Sequence, residues 1–333
     1  MKWQFWRQGG GSKRPAKARA NKKPKKTSWR QAASRQIPAA TILTFTLVSL
    51  GVVALVGGAA LWYSKIFTDP QRTFWDTLDN SLATRGVTRE IRQEKVNDTS
   101  LEIARMSFGS SPGVELKKEL KQSLQEGKVD IQLEGVGTPT DDYQRYTRIQ
   151  RPSGANTQYD YSPVEGAWVH TNTGQNNQPT PAQLFSQTIF SGILFGNLPI
   201  VERHELLNTY LRDAKVYDID YQKVKRTKQN GRPVYVYTAR VNIEMLAKAL
   251  RQYGRLTGLD EVAALNPDSY KNQQFTAVIT IDVRGRFVRD IAYQNNSSVE
   301  RYAAHGQLAA VNVPPDSIPV TEFSERLNKI EGQ

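Results

Sequence analysis

Five consecutive residues, Gly109-Ser110-Ser111-Pro112-Gly113, match the nucleophile pattern G-x-S-x-G, with a strand-like run before them and a helical run after. In such an elbow the residue following the serine donates its backbone N–H to the oxyanion. Here that residue is Pro112, which has no N–H. Loss of one oxyanion donor costs roughly 3–4 kcal/mol of transition-state stabilisation, so the segment reads as a Ser/Pro/Gly turn. His204-Glu205-Leu206-Leu207-Asn208 begins like the zinc helix H-E-x-x-H but ends in Asn, which removes the second ligand from the helix face. The other histidines, His170 and His305, are remote in sequence. Asp141-Asp142, Asp218 with Asp220, and Glu300 stand on ordinary strand or loop positions; a glycosidase pair would need two of them to face each other across the sugar. There is no Walker loop, dinucleotide fingerprint or EF-hand loop. Asn97-Asp98-Thr99 and Asn295-Asn296-Ser297 match the glycosylation sequon, which acts only in a host that glycosylates. With no cysteine in 333 residues, thiol catalysis, thiolate metal sites, disulfides and a lipidated Cys are excluded. The expectation is no enzyme, no cofactor and no metal.

The elements that would have to position any site are announced by the charge. The chain carries 45 Lys and Arg against 32 Asp and Glu, a net charge of +13 that suggests a nucleic-acid binder. The distribution says otherwise. Residues 1–36 hold twelve cations and no acid; Lys65 is one more; the remaining 32 basic residues balance all 32 acidic ones in residues 66–333. Nucleic acid is therefore an unlikely partner for the outer part. Residues 1–36, with Pro15, Pro24 and Gly9-Gly10-Gly11, hold too little apolar content to fold alone and read as a disordered basic cytoplasmic tail.

Residues 37–65 read as a transmembrane signal anchor. Thr41–Tyr63 is an uncharged run of 23 residues, roughly 35 Å long as a helix, against a bilayer core of about 30 Å. Thr41, Leu43, Leu47, Leu50, Val53, Leu55 and Leu61 fall within the span, and Trp62 stands at its far interface. The cations before it and their scarcity after it place the N-terminus in the cytoplasm and the C-terminal domain outside the cell membrane. A cleaved signal peptide has a shorter apolar region and a small-residue cleavage site. Here Gly58-Ala59-Ala60 runs into Leu61-Trp62-Tyr63, which favours an uncleaved single-pass anchor. Ala54 and Gly58 form a small-xxx-small pair that could seat another helix. The tail serves as a topology signal. Met1–Arg7, with Trp3, Phe5 and Trp6 between Lys2 and Arg7, also suits an anionic lipid surface or, less well, RNA or DNA.

Residues 66–333 read as one extracytoplasmic α+β domain. Asp69 and Pro70 open a helix in which Phe74, Leu78 and Leu82 repeat every four residues. Val87–Val96 and Leu101–Phe108 read as strands, and Val114–Leu124 as a helix with Leu116, Leu120 and Leu124 on one face. Lys128–Val136, Tyr143–Ile149 and Ala167–His170 read as further strands, and Thr171–Gln183 as a polar loop. Leu184–Val201 is the most apolar stretch outside the membrane run. It reads plainly as a core helix and connection. Its functional reading is a mobile lid over a ligand cavity, with Phe185, Ile189, Phe190, Ile193, Leu194 and Phe195 as the apolar ligand segment. Glu202–Leu211 is helical. Hairpins follow around Asn230-Gly231 and Arg284-Gly285, with a helix Ile243–Tyr253 between them, a strand in Gln307–Val313 and a short closing helix. The fold class is α+β: a large antiparallel, half-barrel-like sheet with helices on one side.

This order resembles the lipoprotein-carrier fold of the LolA and LppX/LprG type. The resemblance rests on the helix Pro70–Leu82, the successive long strands, the hairpin Tyr235-Val236-Tyr237 to Asn242 followed by the helix Ile243–Tyr253, the hairpin at Arg284-Gly285, and Gly306–Pro314 as a strand ending in proline. It covers most of residues 70–320 and includes no diagnostic motif. It implies an unclosed antiparallel barrel whose helices plug an apolar cavity for acyl chains. Carriers of that type are soluble or lipidated at Cys, whereas this chain would be tethered by a helix. The chain also looks like signal-anchored envelope proteins of reduced-genome bacteria. Two functions are implied: a binding module for lipid or another apolar ligand, or an envelope structural and protein-interaction module with a filled core. The partners are then the lipid bilayer together with an apolar ligand or an envelope protein. A void above about 300 Å³ between sheet and helices separates the two readings.

Overall fold

The structure, a computed structural model, describes residues 52–59, 68–124, 127–151, 159–171, 182–294 and 298–332. The chain divides into two compact units, Met1–Gly58 and Ala59–Gln333. Residues 52–59 are helical, with Val53 and Leu55 70% and 75% exposed. The other residues assigned to the span, Thr41, Leu43, Leu47, Leu50, Leu61 and Trp62, lie outside the described residues. Among the described residues no helix is long and apolar enough to cross a membrane.

The second unit is α+β, built on one large sheet. Its strands are β1 (Gly86–Lys95), β2 (Asp98–Ser107), β3 (Gly113–Leu124), β4 (Gly127–Gly137), β5 (Asp142–Gln150), β6 (Val169–His170), β7 (Tyr217–Ile219), β8 (Lys225–Gln229), β9 (Arg232–Asn242), β10 (Gln274–Asp282), β11 (Val288–Tyr293), β12 (Val299–Ala303) and β13 (Ile318–Pro319). They run in the order β13-β6-β5-β4-β3-β2-β1-β12-β11-β10-β9-β7, with β8 also on β9. The two ends do not meet, so the sheet is open. All pairings are antiparallel except β13 with β6.

The helix Pro70–Leu82 forms where its cap and stripe require. The Asp69 carboxylate accepts from the Arg72 N–H at 2.7 Å, and Phe74, Leu78 and Leu82 are buried. Asp69→Ala is expected to lower stability by about 1 kcal/mol, measurable as a reduced urea midpoint. In the β8–β9 hairpin, Asn230 and Gly231 take φ of 49° and 76°, the left-handed pair that a type I′ turn needs. The helix Ile243–Thr257 is capped by Asn242 and ends at Gly258, one turn beyond the expected stop at Gly254. Gly254 instead lets a neighbour approach: a Cβ there would lie 2.4 Å from the Ala263 backbone nitrogen.

Two expected elements are corrected. Val114–Leu124 is not a helix; Gly113–Leu124 is the strand β3. Spacing of four is also even, so Leu116, Leu120 and Leu124 share one face of a strand as readily as of a helix. The flanking charges find partners across strands, with Lys117 to Glu134 at 2.7 Å and Lys118 to Glu102 at 3.9 Å. Gln307–Val313 forms no strand. Strand β1 already has β2 and β12 on its two sides, and the chain turns away at Ala304 and Gly306, both at positive φ. Pro314 and Pro315 then bring no N–H to a ladder.

Candidate functional site: the inner face of the sheet

Directly opposed residues in a ladder share a face, so the register can be followed across the whole sheet. One row passes from Tyr237 to Ile279, Ile291 and Glu300, then through Ile91, Glu102, Lys118, Leu133 and Tyr146. A second row on the same face holds Gln93, Ser100, Leu120, Ile131 and Ile149. The two ends of the first row are covered. Tyr237 meets Phe74 of the opening helix at 5.3 Å. Tyr146 stacks on Phe323 of the closing helix Val320–Glu331 at 5.7 Å. Between these ends Ile91, Leu120, Ile131 and Leu133 are only half-buried. Leu133 touches the main core, while Ile91, Leu120 and Ile131 join neither buried cluster.

The segment after β6 fills the deep part of this face. Leu184–Ile189 is a single short helix, and an irregular strap continues to Leu198. The Asp142 carboxylate accepts the N–H groups of Gln183 and Leu184 and so caps the helix. Burial raises the Asp142 pKa, partly opposed by these same hydrogen bonds. Leu184 seats on Gly135 and Gly137, where a Cβ would meet it at 2.9 Å. Of the six residues assigned to the ligand segment, Phe185, Ile189, Ile193, Leu194 and Phe195 are buried in the main core, and Phe190 is half-buried against it. The structure therefore brings all six together on the inner face. Phe190 borders an apolar hollow of about 200 Å³, lined also by Leu246, Leu250, Leu265 and Tyr270. A second hollow of about 560 Å³ lies beside Ser186, Leu259 and Glu261.

A strap without regular structure must satisfy its backbone elsewhere; Gly196 and Leu198 donate to the carbonyls of Ser81 and Leu82, and side chains serve other positions. The Tyr217 hydroxyl donates to Gly192 O at 2.8 Å, and the Tyr253 hydroxyl to Phe195 O at 2.8 Å. Gly192 N–H donates to the Tyr293 hydroxyl at 3.1 Å, and Arg89 reaches Phe190 O at 3.3 Å. Tyr293 in turn donates to Glu300 at 3.1 Å, and Tyr302 donates to its other oxygen. Burial raises the Glu300 pKa, against the lowering effects of Tyr302, Arg89 and Tyr293. A raised carboxyl value favours the protonated folded state. Its contribution to stability is complete below the ordinary value of 4.5 and is lost as pH rises through the higher folded value. Glu300→Gln is expected to flatten this falling limb of the stability–pH curve, read by denaturant titration at a series of pH values.

Of the chemistry-bearing residues of the sequence, His170 and Asp141 meet, at 3.3 Å, and the other histidines and candidate aspartates are partnered elsewhere. Ser111 sits in the turn between β2 and β3, a strand–turn–strand context without the helix of an elbow. His204 lies on a helix within 3.9 Å of Asp79. His170 stacks on Tyr143 at 4.7 Å, and His305 shares a hydrogen bond with Val288 O at 2.9 Å. Among the described residues no cluster of His, Asp and Glu could hold a metal. Asp218 pairs with Arg240 at 3.2 Å and Asp220 with Lys223 at 3.0 Å.

No family model and no curated protein matches the sequence. Among solved structures, LprF from Mycobacterium bovis is similar at 9% identity and a TM-score of 0.38, covering 74% of this chain and 96% of that one. A DUF1329 family protein from Desulfovibrio piger ATCC 29098 is similar at 11% identity and a TM-score of 0.21, again over 74% and 96%. No binding residue is carried across by these similarities.

Proposed function

We propose that this chain is a single-pass, membrane-tethered module that binds a lipid or similar apolar ligand outside the cell, on the inner face of its sheet. The observation that carries the reading is the row from Tyr237 to Tyr146: it is covered by helices at both ends and half-open at Ile91 and Leu133, with Leu120 and Ile131 beside them, and Glu102 and Lys118 stand between Ile91 and Leu133. Half-buried aliphatic side chains in one band are what an acyl chain covers, at about 25 cal/mol per Å² of apolar area removed from water. Glu102 and Lys118 cross the band as an ion-paired set, Glu102 meeting Arg89 at 3.1 Å and Lys118 at 3.9 Å. The strap Leu184–Leu198 forms the floor. The tether is supported by the apolar run 41–63 and the twelve cations before it.

Photo-crosslinking of a diazirine fatty acid to the full chain, mapped by peptide mass spectrometry, is expected to label β3 and β4. Labelling confined to residues 41–63 would sink the reading. Protease added to intact cells should digest residues 66–333 and spare the basic tail; digestion of the tail alone would reverse the orientation.

One observation favours a second reading. The deep core is filled by the strap, and of the two hollows beside it the apolar one at Phe190, about 200 Å³, is below the roughly 300 Å³ at which ligand pockets begin, while the one of about 560 Å³ is bordered by the polar Ser186 and Glu261 as well as Leu259. In that case the half-open band docks an envelope protein. Recovery of a stable protein crosslink at Leu120 or Ile131, with no lipid label there, would decide for it.

A further inference from the structure

We propose that the edge strand β8 rests on the membrane surface, with Arg226 and Lys228 contacting anionic lipid headgroups. The proposal rests on the tether put forward above. Tyr63, the last residue of the apolar run, and Thr68 are five residues apart, a reach of at most about 17 Å fully extended. Whatever surrounds Thr68 is therefore held close to the bilayer. Thr68 is pinned to strand β9: its carbonyl accepts from the Tyr235 hydroxyl at 2.5 Å, and the Pro70 carbonyl accepts from the Tyr237 hydroxyl at 2.9 Å.

Strand β8 lies immediately beside this entry point. Arg226 opposes Tyr235 and Lys228 opposes Pro233, so both project on the face that holds Thr68. The Arg226 guanidinium stands 5.9 Å from the Tyr235 ring. Lys225, Arg226 and Lys228 are exposed, and among the described residues none of them takes part in an ion pair, whereas nearby Lys223 and Arg240 each have an aspartate. Lysine on an edge strand blocks unwanted strand pairing. That accounts for charge on an edge, but not for unpaired cations placed where the chain arrives from the membrane. A cation near an anionic leaflet gains about fivefold in occupancy.

The chain has no cysteine, so a single introduced one reports alone. Thr227→Cys, carrying a fluorophore, is placed in the full-length chain in nanodiscs containing a headgroup-attached quencher lipid. The discs are either wholly zwitterionic or contain about one-third phosphatidylglycerol. Expected is strong quenching in the anionic discs, loss of it at about 0.5 M salt, and a fall of more than about fivefold for each of the charge reversals Arg226→Glu and Lys228→Glu. Unaltered circular dichroism verifies folding of these surface variants. Equal quenching in both discs, or quenching indifferent to the two reversals, overturns the proposal and leaves β8 as a protected edge. A chain that does not co-migrate with the discs overturns the tether itself, and that outcome is read separately on a gel-filtration trace.

Discussion

Phe195→Ala is expected to lower the unfolding free energy by about 3–5 kcal/mol, seen as a reduced urea midpoint at unchanged slope. Phe195 is 2% exposed and stacks on Tyr302 with ring centroids 4.9 Å apart. Its carbonyl accepts from Tyr253, and Gly196 after it packs within 2.9 Å of the Tyr253 ring, measured from where its Cβ would be. A cavity left there has few ways to collapse, because β12 and the helix Ile243–Thr257 hold both tyrosines. The size of the effect also decides what the strap is. A segment that opens in the resting protein would lose less than about 1 kcal/mol, as for a surface change. A cost of several kcal/mol identifies the strap as core and leaves ligand uptake to the half-open band beyond it.

Ile131→Asp is the complementary experiment. It is expected to reduce fatty-acid labelling of β3 and β4 by more than about tenfold, equivalent to about 1.4 kcal/mol, with little change in the urea midpoint. Ile131 is half-buried, opposes Leu120, and belongs to neither buried cluster. A carboxylate there sets a desolvation cost against any acyl chain that covers it while the core stays packed. Retained labelling with wild-type intensity would move the ligand off this face.

Local chemistry was legible. Asp69 and Pro70 before a four-residue apolar repeat specify the opening helix, and Asn-Gly specifies the β8–β9 turn, because both signals act within a few residues. The apolar weight of Leu184–Val201 pointed to the core; the strap is largely buried up to Leu198, whereas Ile200 and Val201 are exposed. The same local logic failed at Val114–Leu124, where a spacing of four fits both periods and the partners Glu102 and Glu134 come from other strands. It failed at Gln307–Val313 because a strand exists only where an edge is free, and the edges of β1 were taken. The candidate binding band was not legible at all. Ile91, Ile131 and Leu133 look like ordinary inward residues of an alternating strand, and Leu120 like part of a helix stripe.

The sequence by itself determined where charge and apolar length lie: a basic tail, a 23-residue apolar run, and a charge-balanced domain without cysteine, whose G-x-S-x-G match places Pro112 where a backbone N–H would be needed. These are properties of composition and short-range order, and they need no partner to exist. Only the tertiary structure decided which apolar residues share a face and which of them are covered. Register joins Tyr237 to Tyr146 across nine strands, and whether a side chain in that row is core or binding surface depends on the helix that reaches it from elsewhere in the chain.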